Sequence, residues 1–178
     1  MKEIRVLDKT FREYISEKNI NERITELANE INTDFAGKEV VFLGILNGAF
    51  LFAADLFKRI DLKAKISFVK LASYEGTKSS GTIKELIGWN EDIKNKYIIV
   101  IEDIVDTGNT LERIVDELVI RKASEIKIAT LLFKPEAYTK NIPIDYIGFE
   151  IPNDFVLGYG LDYDGYGRNF PSIYTLVS

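Results

Sequence analysis

The strongest constraint in this chain is a series of apolar runs of β-strand length that do not alternate with polar residues. Residues 40–46, 97–102 and 126–133 are the clearest, and residues 65–72 and 144–150 read as two further strands. A strand with one face in water alternates apolar and polar side chains, whereas a continuous run belongs to a sheet covered on both faces. Helix patterns separate the strands. Ile24, Leu27, Ala28, Ile31 and Phe35 recur at helical spacing behind Asn19 and Glu22 in capping-box positions, and Gly37 closes that run. Residues 49–57 have helix-forming composition, and Leu111, Ile114, Val115, Leu118 and Val119 mark an amphipathic helix after the run at 97–102. Strands alternating with helices predict an α/β fold with a mainly parallel central sheet, flanking helices and right-handed crossovers. In such sheets ligands bind beyond the carboxyl ends of the strands.

With 178 residues, and no repeat or linker, one domain spanning residues 1–178 is the expectation. The longest uncharged stretch, residues 40–54, is too short for a membrane span and is interrupted by Asn47 and Gly48. The first residues mix charges and lack the apolar core of a secretory signal, so the cytoplasm is the expected location. The chain contains no histidine and no cysteine, which excludes imidazole and thiolate nucleophiles, thiolate or imidazole metal sites and disulfides. Carboxylates remain as proton acceptors and as ligands for a hard cation. A net charge of -5 argues against nucleic acid as a partner.

The densest chemistry lies in Glu102-Asp103-Ile104-Val105-Asp106-Thr107-Gly108-Asn109-Thr110, between a strand pattern and a helix pattern. A small polar turn at a helix start offers free backbone N–H groups and hydroxyls at the positive end of the helix dipole, which suits a phosphate monoester. Glu102 and Asp103, adjacent on extended backbone, point in different directions and suit ribose hydroxyls or a metal better than one shared proton. Taken singly, these acids and threonines are ordinary solvated loop acids and helix caps. A block of acids directly after an apolar strand, with no base among them, has a more specific meaning. Residues 158–160 do not form a dinucleotide fingerprint, residues 76–82 lack the lysine of a P-loop, and Ile173 stands where the segment from Asp162 would need glutamate to be a calcium loop.

The nine-residue block resembles the phosphoribosyl pyrophosphate (PRPP) motif of the type I phosphoribosyltransferases, in the form typical of the hypoxanthine-guanine members. Four further matches follow family order. Residues 43–48 resemble the pyrophosphate loop, and Ser73-Tyr74 with residues 79–82 the mobile active-site loop. Residues 131–134 resemble the strand ending in a base-recognition lysine, and residues 149–163 with Arg168 the purine-stacking and metal-binding segment.

The resemblance implies the family fold, with a small hood built from the terminal segments, and transfer of 5-phosphoribose from PRPP to a purine, releasing pyrophosphate and forming IMP or GMP. It implies that Glu102 and Asp103 hold the ribose hydroxyls directly or through Mg2+. Thr107, Gly108, Asn109 and Thr110 would cradle the 5'-phosphate, and Asp106 would take the N7 proton. Lys134 would donate to the 6-oxo group, Phe155 would stack on the base, and the Val156 backbone would read its position-2 edge. Asp162 would bind Mg2+; Arg168, Asn47 and Gly48 would meet pyrophosphate. Many members carry a basic residue where this chain has Asn47, so the contact there falls to backbone and a neutral amide. Asp106 favours a 6-oxopurine over adenine or orotate. The resemblance also implies a dimer or tetramer. It leaves open a xanthine-guanine enzyme or a PRPP-sensing or nucleotide-sensing regulator on the same fold.

Overall fold

The computed structural model describes residues 2–71, 85–87 and 92–177. The chain begins with a hairpin, β1 (Glu3–Val6) and β2 (Lys9–Ile15), and continues into α1 (Glu17–Asp34). Then follow β3 (Glu39–Ile45), α2 (Phe50–Phe57), β4 (Lys63–Leu71), β5 (Glu85–Ile87), β6 (Tyr97–Val105) and α3 (Asn109–Ile120). β7 (Glu125–Phe133), β8 (Tyr146–Glu150), β9 (Val156–Leu157) and β10 (Ile173–Leu176) complete it. The central sheet has the order β5-β4-β3-β6-β7-β8, parallel except for β5, which pairs antiparallel with the edge of β4.

Both faces of this sheet are covered, which accounts for the unbroken apolar runs. Val40 and Phe42 of β3, with Ile99 and Ile101 of β6, pack in one core with Ile20, Ile24 and Leu27 of α1 and Phe52 and Leu56 of α2. The intervening residues Val41, Leu43, Ile98 and Val100 pack in a second core with Leu111, Ile114 and Leu118 of α3. Successive side chains of one strand thus serve opposite layers, and none of them can be polar without burying an unpaired group.

The termini form a second, antiparallel sheet in the order β1-β2-β10-β9. Val6, Phe11, Leu157 and Tyr174 make a third, small core beneath it. This hood joins the main body through the start of α1, where the Glu17 N–H donates to Ser172 Oγ at 3.0 Å and Ser172 donates to Glu13 at 2.8 Å. No helix among the described residues is long and apolar enough to cross a membrane.

The structure corrects the sequence reading in particulars. α1 begins earlier than the Asn19/Glu22 box: Ser16 is the cap, and its Oγ accepts from the Asn19 N–H at 3.2 Å. β6 runs three residues beyond Glu102, because Ile104 and Val105 continue the parallel ladder opposite Leu132 and Phe133 of β7. Val119 is 62% exposed, outside the stripe that Leu111, Ile114 and Leu118 present to the sheet. The loop expected at residues 73–82, with Ser73 and Tyr74, lies outside the described residues.

A side-chain cap satisfies one of the helix's otherwise unpaired N–H groups. Ser16→Ala should therefore lower stability by about 1 kcal/mol, read as a fall of about 2–4 °C in the melting temperature. An unchanged melting point would mean that Asn19 and Glu22 carry the start of α1.

Candidate active site

Because β3, β4, β6, β7 and β8 are parallel, their carboxyl ends share one edge of the sheet, and the acidic block sits at its centre. Glu102 and Asp103 are successive residues of an extended strand, so the pleat sends them apart. Glu102 is 5% exposed and, with residues 104–111, lines a pocket of about 100 Å3. Asp103 faces the turn after β3, where its carboxylate fills the space that a Cβ on Gly48 would need. A Cβ on Gly160 would in turn run into the Gly48 carbonyl oxygen. Gly48, Asp103 and Gly160 therefore nest together from three distant parts of the chain. The Leu46–Asn47 peptide preceding them is cis, and Asn47 is exposed.

Beside this nest lies an ion pair, Arg168 to Asp162 at 2.6 Å. Arg168 also donates to the Gly160 carbonyl, and Gly160 N–H donates back to the Arg168 carbonyl at 3.0 Å. The other oxygen of Asp162 accepts from the Gly165 N–H at 2.6 Å. Gly158 and Gly160, at φ 99° and 100°, flank Tyr159 at φ 46°, a left-handed stretch that turns this segment back over the sheet edge. The Tyr159 hydroxyl anchors it to Asp55 of α2 at 2.5 Å.

On the opposite side of the strand end, Asp106 and Thr107 are exposed, and Gly108 adopts φ 86° as the cap of α3. No side chain caps this helix, so its first N–H groups face the pocket. Gly108 is crowded too: a Cβ there would meet the Tyr138 ring and Lys140. Thr139 braces the same turn, donating to the Thr107 carbonyl at 3.2 Å from its hydroxyl. Residues 138–140 carry no motif. Their role comes only from tertiary contact, so sequence reasoning missed them, as it missed Gly160.

Lys134 stands directly after β7, and its backbone N–H donates to the Val105 carbonyl at 3.0 Å, which aligns the ends of β6 and β7. Its ammonium, on a residue only 8% exposed, lies 3.3 Å from Asp106 Oδ2. Phe155 precedes β9 and is 44% exposed, an unusual degree for phenylalanine. Val156 is buried and pairs with Thr175 of β10. The fold thus brings Asn47, Gly48, Glu102, Asp103, residues 106–110, Lys134, Asp162 and Arg168 to one edge, with Phe155 carried on the hood.

Residues 12–164 match the family profile described as the phosphoribosyl transferase domain. The chain belongs to that family. It is 40% identical over 178 residues to the hypoxanthine-guanine phosphoribosyltransferase of Aquifex aeolicus, covering 99% of each chain. It is 43% identical over 160 residues to the bifunctional protein TilS/HprT of Listeria monocytogenes, covering 89% of this chain and only 25% of that longer protein. The crystal structure of a hypoxanthine-guanine phosphoribosyltransferase from Bacillus anthracis superposes with a TM-score of 0.87 at 38% identity, covering 99% of both chains.

The electrostatics of this site are those of acids held against their preference. Burial pushes the Glu102 carboxyl well above the usual carboxylate range, and the neighbouring Asp103 charge pushes it further. Burial likewise raises Asp103 to about 6. A bond from the Ile104 N–H, at 2.9 Å, and the Arg168 charge pull it down, while Asp162 adds to the rise. Unfolded, Asp103 would titrate near 3.8, so the folded chain binds this proton more tightly than the unfolded one. Its contribution to stability is then complete below about pH 4 and is lost as pH rises through about 6. Asp103→Asn should melt above the parent at pH 7 in metal-free buffer, and that advantage should vanish near pH 4. A difference that does not change with pH would show that the Asp103 charge carries no penalty.

Proposed function

We propose that this chain transfers the 5-phosphoribosyl group of PRPP to N9 of a 6-oxopurine, hypoxanthine and guanine, releasing pyrophosphate and forming IMP or GMP. The observation that carries this reading is the Asp106–Lys134 pair. A 6-oxopurine presents an acceptor oxygen at C6 beside N7 on one edge of the ring. Lys134 offers only donors and ionised Asp106 only acceptors, and they stand 3.3 Å apart at the ends of neighbouring strands. The pair thus complements a C6 carbonyl next to a protonated N7. Adenine would set its 6-amino donors against the Lys134 ammonium, a clash of two donors.

Each remaining part of the edge has a place in the reaction. The N-terminal N–H groups of α3 and the hydroxyls of Thr107 and Thr110 receive the 5'-phosphate, with Gly108 and Asn109 closing the turn. Glu102 and Asp103 hold the ribose hydroxyls. Asn47, Gly48 and Arg168 receive pyrophosphate, Arg168 through its planar fork of donors. Phe155 offers its open ring face to the base, and the Val156 backbone meets the position-2 edge. Ser73 and Tyr74, outside the described residues, take the role that the family resemblance gives them, keeping water from the cationic ribose. As the bond to C1' breaks, positive charge grows on the ribose and negative charge on pyrophosphate, so donors belong on the leaving side. Asp106 takes the N7 proton, a carboxylate in the role that histidine, absent from this chain, has in many enzymes.

The donor set also fits magnesium. Asp103 and Asp162 offer hard oxygens close enough for each charge to act on the other. No group of three or more acidic, histidine or cysteine side chains among the described residues could hold an ion unaided. Magnesium bound by one or two carboxylates together with substrate phosphates is its usual arrangement. Asp103 and Asp162, with Glu102 behind them, would hold it, and when bound it supplies positive charge beside the departing pyrophosphate. We assign the working protein to the cytoplasm and to a dimer or tetramer, which light scattering measures.

An ultraviolet assay with PRPP and magnesium should show turnover with hypoxanthine and guanine and none with adenine; no turnover with any purine, xanthine included, would overturn the reading. Removing magnesium with a chelator should abolish turnover, and full persistence would remove the metal assignment. Asp106→Asn keeps the shape but loses the proton acceptor, so kcat should fall by about 10^2 or more with the KM for PRPP little changed. An unchanged kcat would place the base elsewhere.

A further inference from the structure

We infer that the β1–β2 turn at the N-terminus is part of the purine site: Asp8 and Lys9 hold Tyr163, and Tyr163 holds the Phe155 ring against which the base stacks. The inference rests on the purine reading above and adds three positioning residues to it. Phe155 is a platform with one free face, since its surface is 44% exposed. Two aromatic rings pack against it. The Tyr163 ring meets it nearly edge-on, with centroids 6.0 Å apart and planes at 82°, and Phe11, fully buried in β2, lies 6.2 Å away. Tyr163 and Phe11 also touch, at 6.2 Å, so the three rings brace one another. Edge-to-face packing of this kind fixes the tilt of a ring as well as its place.

Tyr163 is itself held by the turn. Its hydroxyl donates to Asp8 Oδ1 at 2.9 Å, and the Lys9 ammonium lies 4.6 Å from its ring centroid and 6.0 Å from that of Phe155. An ammonium over the two rings draws them together from one side. The turn is not what local preference would choose. Leu7, a branched apolar residue with 48% of its surface exposed, takes the left-handed conformation at φ 54° between β1 and β2. Such a conformation persists where surrounding contacts impose it, and here Asp8 and Lys9, the next two residues, make those contacts. The same sheet closes the circuit. β2 pairs with β10, β10 pairs with β9, and the Leu176 N–H donates to the Phe155 carbonyl at 3.2 Å. Tyr163 follows Asp162 in sequence, but its ring and hydroxyl face Phe155, Phe11 and Asp8, so these contacts serve the purine rather than the phosphates.

The test is the split between the two Michaelis constants. Tyr163→Leu removes the edge-on ring and should raise the KM for hypoxanthine roughly three- to tenfold, the size expected of one aromatic pair, with the KM for PRPP within about twofold of the parent. Tyr163→Phe keeps the ring but loses the bond to Asp8, and should recover only part of that loss. Lys9→Gln, a change at a partly exposed position that folding tolerates, should raise the hypoxanthine KM roughly twofold or more, and keeps the test alive if the leucine variant does not fold. An unmoved hypoxanthine KM in an active parent background, or a parallel rise in both constants, overturns this inference while leaving the purine reading in place. A parent protein that turns over no purine overturns both.

Discussion

The in-register parallel pairing of β6 with its neighbours is the constraint from which the site follows. Because β3, β6 and β7 run the same way, their chemistry-bearing ends coincide, and the bond from the Lys134 N–H to the Val105 carbonyl sets how far β7 projects relative to β6. A slip of one residue would turn Glu102 and Asp103 to each other's faces and separate Lys134 from Asp106. The two apolar layers make such a slip prohibitive, since each strand interior is buried on both sides. The core therefore acts through position: it holds a donor and an acceptor 3.3 Å apart at the ends of neighbouring strands.

The same edge carries groups that do nothing for stability. Glu102 and Asp103 sit where burial disfavours their charge, and the relief that Arg168 gives Asp103 does not cancel it, Arg168 being engaged with Asp162 and the Gly160 carbonyl. Such groups are stable partners only for a ligand that brings hydroxyls or a cation. The hood answers a different requirement, because a base-stacking surface must stay exposed yet keep its orientation. Three aromatic rings and a lysine provide that without closing the face.

Much of this was legible in the order of residues, and the remainder is missing for identifiable reasons. The unbroken runs around residues 40–46 and 97–102 disclose a doubly covered parallel sheet because periodicity reports directly on how many faces are buried. The separation of Glu102 from Asp103 is equally legible, since it follows from the pleat. The start of α1 is less so: Ser16 and Asn19 are both capping residue types, and only the geometry of the first turn chooses between them. The segment from Phe155 onward defeats pattern reading because its strands are two and four residues long and its turns place Tyr159 and Asp164 in left-handed conformations. The contacts of Gly48 with Asp103 and of Gly108 with Tyr138 join residues far apart in sequence, and nothing local encodes them.

The nest of Gly48, Asp103 and Gly160 divides the site by its freedom to change. At position 160 even one methyl group meets the Gly48 backbone carbonyl, and at position 48 it would have to displace the Asp103 carboxylate, so the end proposed to hold ribose and pyrophosphate has little room for variation. Lys134 and Phe155 are confined by side chains, Asp106 for the one and Phe11, Tyr163 and Lys9 for the other, which can shift where a backbone cannot. In the proposed reading, a change of base preference then needs alterations at side-chain contacts alone, while the close approach of the Gly160 and Gly48 backbones keeps the sugar end as it is.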